Sequence, residues 1–170
     1  MRRVALALLA LTLSASHARG EPPPSEPRRS PSLGVLGGLF EFTDDTYRAG
    51  DLGAQYRLGV RLGAFGPMAG GTVTSAGAFH LYAGLALEIP ASRRLLLRLG
   101  FAPGYYDRGA TGKDLGLTLE FRSSLEIGWC LRSGWRVGLE VVHLSNANLG
   151  EINPGSGSLL LVVTLPLGGQ

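Results

Sequence analysis

Apolar and polar residues alternate along most of this chain, with the period of two that is typical of β-strands and not of helices. In the segment 52–64, the even positions carry no charge, whereas Arg57 and Arg61 fall on the odd face. The same division recurs in the segments 79–89, 94–101, 114–129 and 135–145. Each charge inside these segments lies on a single face of its strand. The pattern predicts an all-β chain whose strands have one apolar and one charged face.

Strand length and the lack of helical periodicity favour a membrane barrel over a soluble sandwich. The segment 114–129 is longer than the strands of about 5 to 6 residues that soluble proteins commonly use. A transmembrane barrel turns its apolar faces to lipid and its polar faces inward. Inside it, acidic residues are expected to pair with basic ones, namely Glu88, Glu120, Glu126 and Glu140 with Arg57, Arg61, Arg98, Arg122 and Arg136. We therefore predict an eight-stranded antiparallel transmembrane β-barrel, filled by side chains and without an open channel.

Seven of the strands can be placed directly. They lie near residues 33–43, 52–65, 77–89, 94–104, 114–130, 134–146 and 158–167. Because single-chain barrels of bacterial outer membranes have an even number of strands, the eighth is expected between Gly63 and Ser75. Trp129 and Trp135 flank the short turn 130–134 and fit an aromatic girdle at the membrane interface. A soluble periplasmic binding barrel is the alternative architecture.

The N-terminal part of the chain has the features of an export signal. Residues 1–18 join Arg2 and Arg3 to an apolar run at 4–13 and to small residues at 16 and 18, which predicts a secretory signal peptide. Residues 19–32 are rich in proline and charge and are expected to form a disordered leader. Residues 33–170 show no second change of composition, and we interpret them as one outer-membrane β-barrel domain.

Charge and cysteine content argue against several classes of function. Loss of Arg2 and Arg3 with the signal would lower the formal charge of +3 by two, and no basic patch supports nucleic-acid binding. Cys130 is the only cysteine, so an internal disulfide is impossible. No cluster of Cys and His has the spacing of a metal site. The sequence therefore implies no metal.

One predicted strand ends in polar residues on its apolar face. The face that carries Trp135 and Val141 continues with His143 and Ser145, and Asn146 follows. Residues i and i+2 share a face of a strand, so the imidazole can stand beside the hydroxyl. A histidine that removes the proton of a serine makes it a nucleophile, and a nearby donor such as Asn146 can hold the oxyanion. The alternative is that these residues are only polar groups at the membrane interface.

Hairpin geometry predicts the neighbours of this pair. If the strands near 114–130 and 134–146 pair through the turn 130–134, Phe121 lies opposite His143 and Leu119 lies opposite Ser145. The same reasoning for the last hairpin places Ser145 opposite residue 157 or close to it. An apolar wall is thus expected beside the histidine.

The run Val142-His143-Leu144-Ser145-Asn146-Ala147, joined to Asn153-Pro154-Gly155 and a final apolar strand, resembles the PagL-type lipid A 3-O-deacylase family of outer-membrane acyl hydrolases. A looser similarity covers residues 33–167. The resemblance implies an esterase that hydrolyses a 3-linked acyl ester of lipid A, with His143 as general base, Ser145 as nucleophile and Asn146 as oxyanion helper. It also implies lipopolysaccharide and outer-membrane lipid as partners, the cell outer membrane as location, and no cofactor.

One position departs from that family. The acid that orients the histidine lies two residues after the glycine of the Asn-Pro-Gly element, and here that position is Gly157. Glu151, in the intervening loop, is a candidate replacement. Loss of a triad acid lowers the rate by several orders of magnitude without abolishing it. Two functions therefore stay open: an active deacylase, and a catalytically weakened or silent barrel with a structural or lipid-binding role. A homodimer is compatible with either function.

Overall fold

The computed structural model describes residues 30–168, which form a closed antiparallel barrel of eight strands. The strands are β1 (Ser32–Phe40), β2 (Ala49–Arg57), β3 (Phe65–Thr74), β4 (Phe79–Pro90), β5 (Leu95–Asp107), β6 (Leu119–Cys130), β7 (Arg136–Ser145) and β8 (Ser156–Pro166). Each strand pairs with the next, and β1 pairs with β8 to close the barrel. The predicted signal peptide and most of the predicted leader lie outside the described residues.

Residues 30–168 contain no helix that is long and apolar enough to cross a membrane. The predicted fold class is confirmed, and so is the hidden eighth strand, because β3 lies inside the interval 63–75.

Two strands, β2 and β6, differ most in length from the predicted bounds. β2 ends at Arg57, because the chain turns where Gly63 adopts a φ of 66°. Two backbone hydrogen bonds of 2.8 and 3.3 Å between Leu62 and Phe65 close this turn. Turn residues can thus continue an alternating pattern without joining the strand.

β6 begins at Leu119 and not near residue 114. Gly116 has a φ of 89°, and its N–H donates to the Asp114 carboxylate at 2.9 Å. This local turn keeps the segment before Leu119 out of the sheet.

The apolar faces of the strands point outward, as the alternation predicts. On β7, Leu139 is 57% exposed and Val141 is 45% exposed, whereas Glu140 between them is 1% exposed. Large apolar side chains on the outer surface and charged side chains in the interior are the arrangement of a barrel that sits in lipid.

Ion pairs fill the interior. Arg122 contacts Glu140 at 2.9 Å, with both side chains 1% exposed. Arg98 contacts Glu88 and Glu126. These contacts confirm the predicted lumen pairing for most of the charged residues.

Two of the predicted lumen residues behave differently. Glu120 is buried, but its carboxylate oxygens have no hydrogen-bond partner within the described part of the chain. Arg61 is exposed and lies in the turn 58–64, because β2 ends before it.

The two ends of the barrel differ in their connections. The first residue of β1 and the last of β8 lie at one end with the turns 58–64, 91–94 and 131–135. The other end carries the connections 41–48, 75–78, 108–118 and 146–155, which include the three longest. In outer-membrane barrels the short turns face the periplasm and the long loops face outward. The connection after β7 therefore lies at the outer end.

Candidate active site

His143 and Ser145 lie at the outer end of β7 on its outward face. His143 is exposed and Ser145 is half-buried, whereas the intervening Leu144 is buried. The structure therefore places the pair on the surface that meets lipid, near the outer interface. No hydrogen bond joins the two side chains in the described residues.

The neighbours of the pair on β6 differ from the predicted ones. Ser123 pairs with His143 and Phe121 pairs with Ser145, a shift of two residues from the expected register. The cause is the turn, which is closed by a 2.8 Å hydrogen bond from the Leu131 N–H to the Trp135 carbonyl. This bond centres the hairpin one residue later than predicted. The apolar wall thus lies beside the serine, and the histidine faces a second hydroxyl.

The apolar wall beside Ser145 continues across β5. The Phe121 ring stacks on Phe101, with centroids 5.8 Å apart and planes inclined by 12°. Pro103 pairs with Phe121, so these three residues form one apolar surface. A groove of about 460 Å³ continues from Phe101 and Pro103 over Leu85 and Leu99. The apolar groove on the outer surface therefore begins on β5, two strands from Ser145, and Phe121 of β6 lies between them.

On β8, the residue opposite His143 is Gly157, whereas the predicted register placed Ser145 there. The Gly157 N–H donates to the Glu41 carboxylate at 3.2 Å, and its carbonyl accepts from the Phe42 N–H at 3.4 Å. Both polar groups of Gly157 therefore point away from β7. The pair is of the non-hydrogen-bonded type, in which opposite side chains approach most closely. A side chain at position 157 would therefore extend from the same face of the sheet as the His143 side chain.

An aromatic ring borders the place where that side chain would be. A Cβ on Gly157 would lie 3.2 Å from Cε1 of Phe42. The imidazole itself leans over Gly155, where an added Cβ would lie 3.0 Å from Cε1 of His143. Gly155 has a φ of 64°, so both its conformation and the close imidazole favour glycine.

The candidate replacement for the missing acid does not reach the histidine. Glu151 is exposed in the loop after β7 and makes no hydrogen bond or ion pair with any described residue. Glu41 is the carboxylate that bonds to Gly157, and it also contacts the Lys113 ammonium at 3.1 Å. It lies on the side of β8 away from His143.

Asn146 is fully buried, and all its donors are engaged. Its Nδ2 donates to the carbonyls of Leu115 at 2.9 Å and Ile152 at 2.8 Å. Its backbone N–H donates to Oδ1 of Asn153 at 3.1 Å. Its own Oδ1 accepts from the Asn148 N–H at 3.0 Å. Asn146, which follows Ser145 in the chain, therefore ties the connection before β6 to the connection after β7.

Comparison with known proteins matches this region to a described family. The family model for lipid A 3-O-deacylase (PagL) matches residues 71–166, which is more than half of the chain. The chain belongs to this family. The matched PagL region contains both strands of the candidate site and the loop between them, so the resemblance first read from the residues around His143 is confirmed.

Solved structures agree with the barrel fold. The crystal structure of the outer membrane enzyme PagL matches with a TM-score of 0.62 and 20% identity, covering 80% of this chain and 99% of that chain. Neisserial surface protein A matches with a TM-score of 0.55 and 8% identity, covering 80% and 95%. A de novo designed transmembrane β-barrel gives 0.52 and 11%, covering 79% and 95%. At these identities the likeness shows the fold. No curated protein matches the chain.

The PagL family and the barrel fold place the chain in the cell outer membrane. Around the candidate site, sequence reasoning missed Ser123, Phe42 and Glu41. Ser123 was missed because it depends on the two-residue shift of register. The other two belong to a loop that meets Gly157 across a separation of 116 residues, for which the sequence carries no local signal.

Proposed function

We propose that this protein is an outer-membrane serine esterase that hydrolyses a 3-linked acyl ester of lipid A. The observation that carries the proposal is the place of His143 and Ser145 on the outward face, at the outer end of β7. A substrate dissolved in water would not reach a pair that faces the lipid. A lipid held in the outer leaflet brings its ester to this level of the barrel. Membership of a family described as lipid A 3-O-deacylase supports the same substrate.

The proposed reaction needs only this pair, the ester and water. Ser145 Oγ attacks the ester carbonyl while His143 takes the hydroxyl proton. Collapse of the tetrahedral intermediate breaks the bond to the sugar oxygen, which leaves as an alcohol after it receives that proton. Water then attacks the acyl-enzyme with His143 again as base. The products are a free fatty acid, the deacylated lipid and regenerated Ser145.

We propose that Asn146 helps to stabilise the oxyanion indirectly, because it holds the loop whose backbone would donate a hydrogen bond to it. Its own N–H groups are engaged with Leu115, Ile152 and Asn153. The residue that follows, Ala147, has a φ of 54°, and its backbone lies at the end of β7 next to Ser145. Backbone N–H groups are typical donors to a developing oxyanion, and the Ala147 N–H is the proposed donor.

The apolar surface next to Ser145 supports an acyl substrate. Phe121 stands opposite Ser145, and the groove beyond Phe101 runs along the outer wall for several residues of β5. A bound acyl chain would exchange lipid contacts for protein contacts there, so the groove orients the chain more than it adds affinity. The ester carbonyl would then be held at the hydroxyl.

A second function is favoured by one specific observation. Position 157 holds glycine opposite His143, and Phe42 borders the space that an acid would use. The alternative is therefore a catalytically weakened or silent barrel with a structural or lipid-binding role. In serine proteases, loss of the triad acid lowers kcat by about 10⁴, so a weakened enzyme would still be detectable in long incubations.

The test uses the full chain refolded in detergent with lipopolysaccharide as substrate. We expect slow release of a hydroxy fatty acid, measured by mass spectrometry, and its loss in Ser145→Ala. Ser133→Ala is the matched control, because Ser133 lies in the periplasmic turn 131–135 and should leave release unchanged. Release that persists in Ser145→Ala would refute the assignment. No release from the wild-type chain would favour the silent barrel.

The proposed reaction uses residues of a single barrel. A homodimer is a separate prediction, which sedimentation of the detergent-solubilised protein would test. The specific activity, which is the rate per amount of protein, should be independent of protein concentration in either case.

A further inference from the structure

A second cavity lies at the opposite end of the barrel from the candidate active site. It has a volume of about 370 Å³ and is lined by Ser32 at the start of β1, Pro166 at the end of β8 and Gly134 of the turn 131–135. These residues belong to the end that carries the short turns, which is the periplasmic end. The cavity is therefore a pocket in the periplasmic mouth of the lumen.

The charges around this pocket are unequal. Its lining carries four guanidinium groups, those of Arg57, Arg61, Arg98 and Arg136, and one carboxylate, that of Glu88. All four cations come from different parts of the wall, namely β2, the turn after it, β5 and β7. Their convergence on one space distinguishes this end of the lumen from the middle, where Arg122 and Glu140 form a one-to-one pair.

Two carboxylates are shared among these arginines. Glu88 accepts from Nε of Arg98 at 3.0 Å and contacts Arg136 at 3.1 Å through the same oxygen. Glu126 contacts Arg57 at 3.1 Å and Arg98 through its Oε2, while its Oε1 has no partner among the described residues. With Glu126 included, the buried groups around the pocket are three guanidinium groups, those of Arg57, Arg98 and Arg136, and two carboxylates, because Arg61 is exposed.

This excess of charge is poorly hydrated. The side chains of Arg57, Arg98 and Arg136 are only 8%, 1% and 16% exposed. Buried charges require compensation by opposite charge, because desolvation costs several kcal/mol per ion. Guanidinium groups bind oxyanions through pairs of parallel N–H donors, which suits a tetrahedral oxyanion better than a halide.

We propose that this pocket binds a phosphate group, either as the inorganic ion or as a soluble phosphate monoester. The bound group would accept hydrogen bonds from Arg136 and Arg57 and supply the negative charge that Glu88 and Glu126 leave incomplete. The site is independent of the proposed hydrolysis, because it lies at the other end of the barrel.

The experiment titrates the full chain, refolded in an uncharged detergent at low ionic strength, with inorganic phosphate and separately with glycerol 1-phosphate. Isothermal titration calorimetry measures the affinity, and the thermal unfolding temperature gives a second readout. Binding of both ligands identifies a site for phosphate groups in general, and binding of the inorganic ion alone identifies a free-ion site.

Two variants are expected to change the phosphate affinity in opposite directions, which makes the test decisive. Arg136→Gln removes a donor and should weaken binding at least about tenfold, whereas Glu88→Gln removes the competing carboxylate and should strengthen it. Arg108→Gln is the control, because its guanidinium lies in the outer connection and is 59% exposed. Lack of saturable binding at millimolar phosphate would overturn the proposal. An affinity unchanged in Glu88→Gln, or reduced equally in the control, would also overturn it.

Discussion

Restoring a carboxylate beside His143 is the sharpest perturbation of the candidate site. His143 and Gly157 form a non-hydrogen-bonded pair, and side chains opposite each other in such a pair have Cβ atoms about 4.5 to 5.5 Å apart. Gly157→Glu therefore places a carboxylate within hydrogen-bond reach of the imidazole. Such an acid orients the histidine and stabilises its protonated form, which is worth about 10⁴ in kcat, or roughly 5 kcal/mol, in an optimised triad.

Phe42 limits how much of this gain a single substitution can give. A Cβ at position 157 would lie 3.2 Å from the ring, which is tight enough to require a shift of the ring. We therefore expect a partial gain in Gly157→Glu, on the order of tenfold to a hundredfold, and a larger gain when Phe42→Ala is added. Phe42→Ala alone supplies no acid and should not raise the rate. The two substitutions are thus expected to be non-additive.

The assay is the initial rate of hydroxy fatty acid release from lipopolysaccharide by the four proteins of this cycle. Gly157→Gln is the matched control, since it has the same size and geometry without the charge. An equal gain in Gly157→Gln would show that packing, and not the carboxylate, changes the rate. A fast wild-type enzyme that gains nothing from Gly157→Glu would refute the idea that the missing acid limits the site.

Three further substitutions test other parts of the structure. Asn146→Ala leaves two carbonyls without their donor and should destabilise the outer loops by about 1 to 3 kcal/mol per buried group. We expect faster proteolysis within residues 146–155 while the barrel stays folded. Unchanged proteolysis would argue against the role of Asn146 in holding the two connections together. Glu140→Ala leaves Arg122 without its carboxylate and should lower the free energy of unfolding in urea by about 3 to 5 kcal/mol, against at most about 1 kcal/mol for the exposed Asp114→Asn. Glu151→Gln should leave fatty acid release unchanged, because Glu151 makes no contact with the site; a clear loss of rate would identify it as the acid.

The faces of the strands could be predicted because lipid and lumen impose the same period of two on every strand. Leu139 and Glu140 are assigned to opposite sides by sequence alone, and the structure confirms both. The hidden strand β3 follows from the parity of a closed barrel, although its glycine-rich sequence gives little alternation of its own. These features depend on constraints that every residue of the strand shares.

Register could not be predicted, because a shift of two residues preserves every face. Pairing Phe121 with His143 or with Ser145 puts the same residues outside and the same residues in the lumen. The choice is made by one hydrogen bond in the turn, between Leu131 and Trp135. For the chemistry the difference is large, since it decides whether the histidine faces an aromatic ring or the Ser123 hydroxyl.

Glycine at position 157 is part of a packed arrangement and not an isolated vacancy. The loop after β1 docks on β8 through the bond from the Gly157 N–H to Glu41 and through the Phe42 ring beside the Cα. Any side chain at 157 also requires the Phe42 ring of this loop to shift by a few tenths of an ångström. Catalysis and loop docking therefore compete for one position, and they can be separated experimentally. If docking is the role of this residue, Gly157→Glu lowers the thermal unfolding temperature and Phe42→Ala relieves the effect of the added side chain. If the acid alone were missing, the rate would rise with no change in stability.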